Sequence, residues 1–240
     1  VKRKNIYHQI DSVSGLAAKL AIANEYDKLV QSIGAQGTNA YTSFEQTVYV
    51  NDIPSNEISK WLSIEAERFR NPILRLFHTE LEAVYEEKNR TLDNDGRKMS
   101  TALYANLFNN HNYGLQTTIG TVEDLKNPSL VKIRNYYTTY YVPNNMAIIM
   151  SGDFDPDKVI TEIDRKFSYM QTKTVPTYTY RPEVPKSAPT YVDVNGPDAE
   201  YVYIGFRMPG AGSREASLLT LTDLLLSNNS AGLIDLNLVS

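Results

Sequence analysis

Cysteine is absent from all 240 residues, which excludes disulfides, thiolate metal sites and cysteine nucleophiles. That absence leaves the compartment open, because many proteins of oxidising spaces also lack cysteine. Histidine is nearly as scarce. His8, His78 and His111 stand 70 and 33 residues apart, so neither His-Glu-x-x-His nor its inverted form is present, and each reads as a surface or hydrogen-bonded residue. No run approaches the roughly 18–20 apolar residues of a membrane span, and no hydrophobic signal core lies near Val1. Basic charge is not in excess: a net charge of −4 and a pI near 5.5 provide no broad field for nucleic-acid phosphates or anionic lipid. Gly-x-Ser-x-Gly is missing, and Gly210-Ala211-Gly212 lacks the rest of a phosphate-loop pattern, so those glycines read as a loop.

What is present suffices for a substantial core, since 42% of the residues are hydrophobic, in one large domain or two modest ones. Residues 1–31 carry helix formers with Leu16, Leu20, Ala23, Leu29 and Val30 as apolar positions, and Ser12 to Gly15 marks an expected break. After Gly34 and Gly37, the Thr47–Val50 run suits a strand. Pro54-Ser55 then starts a helix whose Ile58, Trp61, Leu62, Ala66 and Phe69 recur at helical spacing up to Asn71-Pro72. Helical pattern resumes from His78 to Asn109, interrupted at Asn94-Asp95-Gly96. Asn127-Pro128 reads as an N-cap with proline in the first turn. Met146–Met150 has the continuous apolar run of a strand covered on both faces, and Pro156 to Phe167 that of a helix. Pro176, Pro182, Pro185, Pro189 and Pro197 make a linker, after which Tyr201–Phe206 reads as a strand and Ala216–Leu226 as a helix.

Chemistry concentrates in Glu80–Glu87. Seven residues at about 100° each return to nearly the same helix face, so Glu80 and Glu87 align two turns apart. One carboxylate in that arrangement can bind a cation while the other orients a neighbouring ligand, although spacing alone favours a solvated acidic face. The tyrosines between Tyr136 and Tyr141 fit aromatic packing at a helix end better than a nucleic-acid stacking platform, given the missing basic field.

Several segments in order resemble the insulinase/pitrilysin-like zinc metallopeptidases, especially bacterial members with tandem homologous halves. They are Gly37-Thr38-Asn39-Ala40-Tyr41-Thr42-Ser43, the Glu80–Glu87 helix, Tyr113-Gly114, Ile119-Gly120-Thr121, Tyr141-Val142-Pro143-Asn144-Asn145-Met146 and Gly152-Asp153-Phe154-Asp155. The resemblance implies an α+β fold with helices packed on a mainly antiparallel sheet. It divides the chain into an incomplete metallopeptidase-like domain over residues 1–171, a proline-rich linker over 172–198 and the beginning of a second, similar domain over 199–240. It implies that Glu87 is the zinc ligand on this helix, that Glu80 supports the site from behind it, and that Asn39 and Ala40 engage an extended peptide substrate along a strand edge.

The family's His-x-x-Glu-His motif is not in this sequence and is expected upstream of Val1, which makes the chain an amino-terminally clipped piece of an endopeptidase with an enclosed chamber. No catalytic residue is expected within it; zinc belongs to the intact parent, and the fragment alone is expected to be inactive and not to retain the metal. Expected partners are a peptide substrate and the missing C-terminal half or a homologous subunit, with no nucleic acid and no membrane span. Bacterial relatives favour the periplasm or cell envelope. The competing reading is a non-catalytic relative acting as a peptide-binding or assembly subunit, and a third is an unrelated domain with an acidic helix.

Overall fold

The computed structural model describes residues 2–74, 76–126 and 128–238. Helix α1 (Lys2–Ala18) runs unbroken through Ser12–Gly15, and the chain turns only afterwards, ending at Asn24 in the left-handed region (φ 55°) ahead of α2 (Glu25–Ser32). The expected break at Ser12–Gly15 is thus displaced. One glycine inside a helix costs only about 1 kcal/mol, whereas asparagine tolerates the left-handed turn that stops one.

Strands β1 (Gln36–Thr42) and β2 (Thr47–Asp52) form an antiparallel hairpin, the one sheet among the described residues. Next come α3 (Ile58–Arg70), α4 (Phe77–Leu92) and α5 (Asp95–Leu107), the last capped where Asn94 accepts the Arg97 N–H at 2.8 Å. Short α6 (Asn112–Leu115) and α7 (Val122–Lys126) lead to α8 (Leu130–Tyr140). The cap of α8 is the hydroxyl of Ser129, which accepts the Lys132 N–H; the expected cap, Asn127, lies outside the described residues. Asp155 caps α9 (Pro156–Lys166), whose proline occupies the first turn as expected. The chain closes with α10 (Arg214–Leu226) and α11 (Leu233–Leu238). The result is a helix-rich α+β fold with a small antiparallel sheet.

The densest packing lies between α3 and α9. Ile58 and Leu62 meet Val159, and Ile53, Trp61, Met150, Phe154, Ile163 and Phe167 close around them. Lys166 donates to Ser63 and the Tyr169 hydroxyl to the Ala66 carbonyl (2.6 Å), which fixes the axial register of the two helices. A second, aromatic layer joins β2, α3 and α8: Phe69 lies edge-on to Tyr49 and stacked on Tyr141, Tyr141 stacks on Tyr137, and the Tyr137 hydroxyl donates to the Phe69 carbonyl at 2.7 Å. The tyrosine cluster is therefore in part a packing element, with Tyr136 left outside at 57% exposure.

Two expected strands carry no ladder. Met146–Met150 has no hydrogen-bonded neighbour strand among the described residues, and instead of being covered on both faces it leaves Ile149 91% exposed. An apolar run specifies burial only where a partner strand exists to satisfy its N–H and C=O groups. Tyr201–Phe206 does alternate like a strand, but against a helix. Along α5 the Asp198 N–H donates to Asp95 (3.0 Å), Gly205 lies against Leu103 and Leu107, and Arg207 donates to the Leu107 carbonyl (2.6 Å), while Val202, Ile204 and Phe206 face outward.

Residues 171–207 contain neither helix nor strand, yet they are pinned. Asn144 exchanges two hydrogen bonds with the Lys173 backbone, and Glu183 accepts the N–H groups of Asn109, Asn110 and His111 at 2.7–3.1 Å. Burial works against the Glu183 charge, but those donors and Arg207 hold its carboxyl below the usual carboxylate range.

Two measurements test this packing. Leu62 is fully buried, so Leu62→Ala is expected to cost about 2–5 kcal/mol in urea unfolding, the range for a cavity at a site that cannot collapse. Burial pushes the Tyr137 phenol up to about 12, with Tyr169 and Tyr141 adding to it. A phenol neutral in the fold and ionised in the unfolded chain contributes stability below pH 10 that is lost as pH rises toward 12. Tyr137→Phe should therefore flatten the alkaline branch of the stability profile, at the cost near neutrality of one hydrogen bond, about 1 kcal/mol.

Candidate functional site

The hairpin sets the first half of the site. At its turn the Ser43 N–H donates to the Gln46 carbonyl (2.8 Å), so Ser43/Gln46 is a hydrogen-bonded pair. Alternation along an antiparallel ladder then makes Tyr41/Val48 and Asn39/Val50 bonded pairs, and Ala40/Tyr49 and Thr42/Thr47 non-bonded ones. The main-chain groups of Ala40 and Thr42 thus point away from β2, toward an edge on which no described residue forms a strand. The Asn39 side chain confirms this, because its Oδ1 accepts the Ala40 N–H at 2.8 Å. Of the two residues expected to bind peptide, Ala40 turns its backbone to the edge with its N–H held by Asn39 Oδ1, whereas Asn39 spends its backbone on β2 and lays its side chain along that edge.

The other two candidate residues lie on α4. Glu80 occupies the first turn, where a carboxylate meets the partial positive charge of the helix N-terminus, and Glu87 follows two turns later. Both are exposed, and neither carboxylate has a hydrogen bond or ion pair among the described residues. Helix α4 packs against α5 and α7. No group of three His, Cys, Asp or Glu residues able to hold a metal exists among the described residues. His78 stacks edge-on with Phe77, and His111 sits among Phe108, Tyr113, Tyr178 and Tyr180 with its Nδ1 accepting the Tyr113 N–H (3.2 Å). Zinc needs three protein ligands in a catalytic site, and α4 would supply at most the one expected at Glu87. The donor set of this chain therefore does not by itself fit the metal.

Beneath β1 lies a polar network that sequence reading missed. Glu65 of α3 is 5% exposed and accepts the Tyr26 hydroxyl at 2.5 Å; Tyr26 in turn accepts from the Asn51 amide (2.8 Å), and Asn51 accepts from the Thr38 hydroxyl (3.0 Å). Arg68 pairs with Glu65 at 3.4 Å and lies over the rings of Tyr26 (4.0 Å) and Tyr49 (4.3 Å). Burial and the Glu65 carboxylate push the Tyr26 phenol up to about 12. A signal existed: Glu65 falls on the same helical stripe as Leu62, Ala66 and Phe69, and a carboxylate on a buried stripe needs partners.

The comparisons with known proteins agree with this geometry. Residues 15–121 match the family described as Insulinase (Peptidase family M16), and residues 129–236 match the Peptidase M16 inactive domain. Zinc protease PqqE of Helicobacter pylori is 27% identical over 247 residues, a match covering 99% of this chain and 54% of that protein. The chain thus spans about half the length of that relative. Among solved structures, a protease from Helicobacter pylori superposes with a TM-score of 0.59 at 29% identity over 65% of this chain and 38% of the other. The periplasmic protease PqqL from Escherichia coli shares the fold, with a TM-score of 0.56 at 24% identity over 65% of this chain and 18% of its own. Two successive family matches, the ordered motifs and the shared fold lead to one conclusion: this chain belongs to the insulinase-like peptidase family M16.

Proposed function

We propose that this chain is part of a zinc-dependent endopeptidase, in which β1 receives an extended peptide and α4 brings one metal ligand. The observation that carries the reading is the edge at Ala40, whose main-chain groups face away from β2, the N–H capped by the Asn39 side chain that an incoming peptide carbonyl would replace. The relatives named as zinc proteases and the family match support it. In this reading Glu87 ligates zinc, Glu80 supports that ligand, and the histidines come from outside residues 1–240. When bound, zinc polarises a peptide carbonyl and activates water. The chain's own residues align the substrate: Ala40 through its backbone, Asn39 through its side-chain amide. By itself the chain does not hydrolyse peptides. Its complement is the remaining half of the protein or a homologous subunit, and the periplasmic relative favours a cell-envelope location.

A second reading is a non-catalytic subunit that binds peptide on the same edge. It is favoured by the match of residues 129–236 to a domain described as inactive.

Zinc content and hydrolysis of an unstructured peptide by the native-length protein separate the two. The first reading expects stoichiometric zinc and cleavage in the native-length protein, and loss of both in Glu87→Gln and in the 240-residue chain. Ala40→Pro is expected to raise KM about tenfold while the hairpin survives, since it removes the edge N–H that the Asn39 side chain now caps, without touching the bonds to β2. A metal-free, inert native-length protein that still binds peptide establishes the second reading instead.

A further inference from the structure

The register of β1 against β2 contains one irregularity, and it lies beside Asn39. Gln36 pairs with Asp52 and Asn39 with Val50, so Gly37 and Thr38 together oppose the single residue Asn51. This is a β-bulge with glycine in the left-handed conformation, φ 58°. A bulge adds one residue to one strand. It therefore decides which residues beyond it turn their main-chain groups to the partner and which turn them to the edge. Were it to move by one position toward the turn, Thr38 and Asn39 would share Val50 and Asn39 would lose its regular pairing, while Ala40 and the residues nearer the turn would keep theirs. Glycine permits the bulge at position 37, but a hairpin edge of exposed, polar residues has little side-chain packing to hold it there.

The network beneath the strand supplies that hold. Thr38, the second bulge residue, donates to Asn51 directly across the strands. Asn51 donates onward to Tyr26 of α2, and Tyr26 donates to Glu65 of α3, which Arg68 neutralises. Every member gives its proton in one direction, from the exposed edge to a buried carboxylate, so the series ends on an acceptor that cannot turn to water. Moving the bulge would take the Thr38 hydroxyl from Asn51 and leave the Asn51 and Tyr26 groups to find new partners in a half-buried layer, a penalty that water at the surface would not impose.

We infer that Tyr26 and Glu65 are positioning residues for peptide binding: through Asn51 they lock the Gly37–Thr38 bulge and so keep Asn39 paired with Val50, with its side chain held at the Ala40 edge that receives the substrate. The inference rests on the edge-strand reading above for its functional half, while its structural half stands alone.

The test uses the native-length protein with Tyr26→Phe, which keeps the ring under Arg68 and removes both hydrogen bonds, and Glu65→Gln, which keeps an acceptor for Tyr26. Tyr26→Phe is expected to raise KM about tenfold with kcat within about twofold, the pattern of a lost positioning contact, and to speed amide exchange across residues 36–42. Glu65→Gln is expected to stay within about threefold of the native KM, because the relay retains its terminal acceptor. A purely structural role would lower Tm in Tyr26→Phe while leaving KM and exchange at 36–42 unchanged, and that result overturns the inference. If the native-length protein neither binds nor cleaves peptide, the edge-strand reading fails, and the exchange rates at 36–42 still decide whether the relay holds the bulge.

Discussion

A carboxylate cannot be buried alone, and the half of this fold that carries the open strand is arranged around one that is buried with partners. Glu65 is nearly inaccessible, so the free energy of removing its charge from water has to be offset by hydrogen bonds and an opposite charge. Tyr26 from α2 and Arg68 from its own helix meet that need. Their rings and guanidinium in turn define where Tyr49 of β2 can lie, and through Phe69 and Tyr141 the same layer reaches α8. The hairpin is thus held to the helices mainly by oriented polar and aromatic contacts, with little apolar burial of its own, as the wholly exposed or half-exposed pattern of both strands shows.

The same device recurs at a distance. Residues 171–207 bury little apolar surface, and an unstructured segment of that length would be costly to order by packing alone. It is ordered instead by acceptors that gather backbone donors: Glu183 takes three N–H groups at the corner between α5 and α6, and Asp95 takes the Asp198 N–H and the Lys98 ammonium, which together hold its carboxyl below the usual range. Gly196 leaves no room for a side chain against Asp95, and this close approach lets the strap lie flat on α5. A proline-rich stretch that composition marks as a linker is, in three dimensions, a strap.

Much of the helical framework was legible in the sequence because the signals are local. Asn94 before Asp95, Asp155 before Pro156 and the spacing of Ile58, Leu62 and Ala66 act within one or two turns, and the helices begin and end within a few residues of those marks. Strands are different, because a strand exists only with a neighbour. Met146–Met150 and Tyr201–Phe206 have strand-like composition and alternation, yet no described residue supplies the ladder. The candidate site divides the same way. The face shared by Glu80 and Glu87 follows from helical periodicity, and it is found on one helix. The direction in which Asn39 and Ala40 present their backbone depends on the parity set by the Ser43–Gln46 turn, which no reading of residue types reveals.

The sequence by itself determined the family, the order of the longer helices from Ile58 to Lys166, and the pairing of two carboxylates two turns apart, because those rest on near-neighbour chemistry and on motifs in a fixed order. The tertiary structure alone decided that Glu65 is buried, that Thr38 is tied to it through Asn51 and Tyr26, and that Ala40 and Thr42 turn their main-chain groups to the edge. Each of these joins groups 13 to 39 residues apart in the chain or depends on a ladder's parity, and such contacts are selected by the free energy of the whole fold and not by any segment of it.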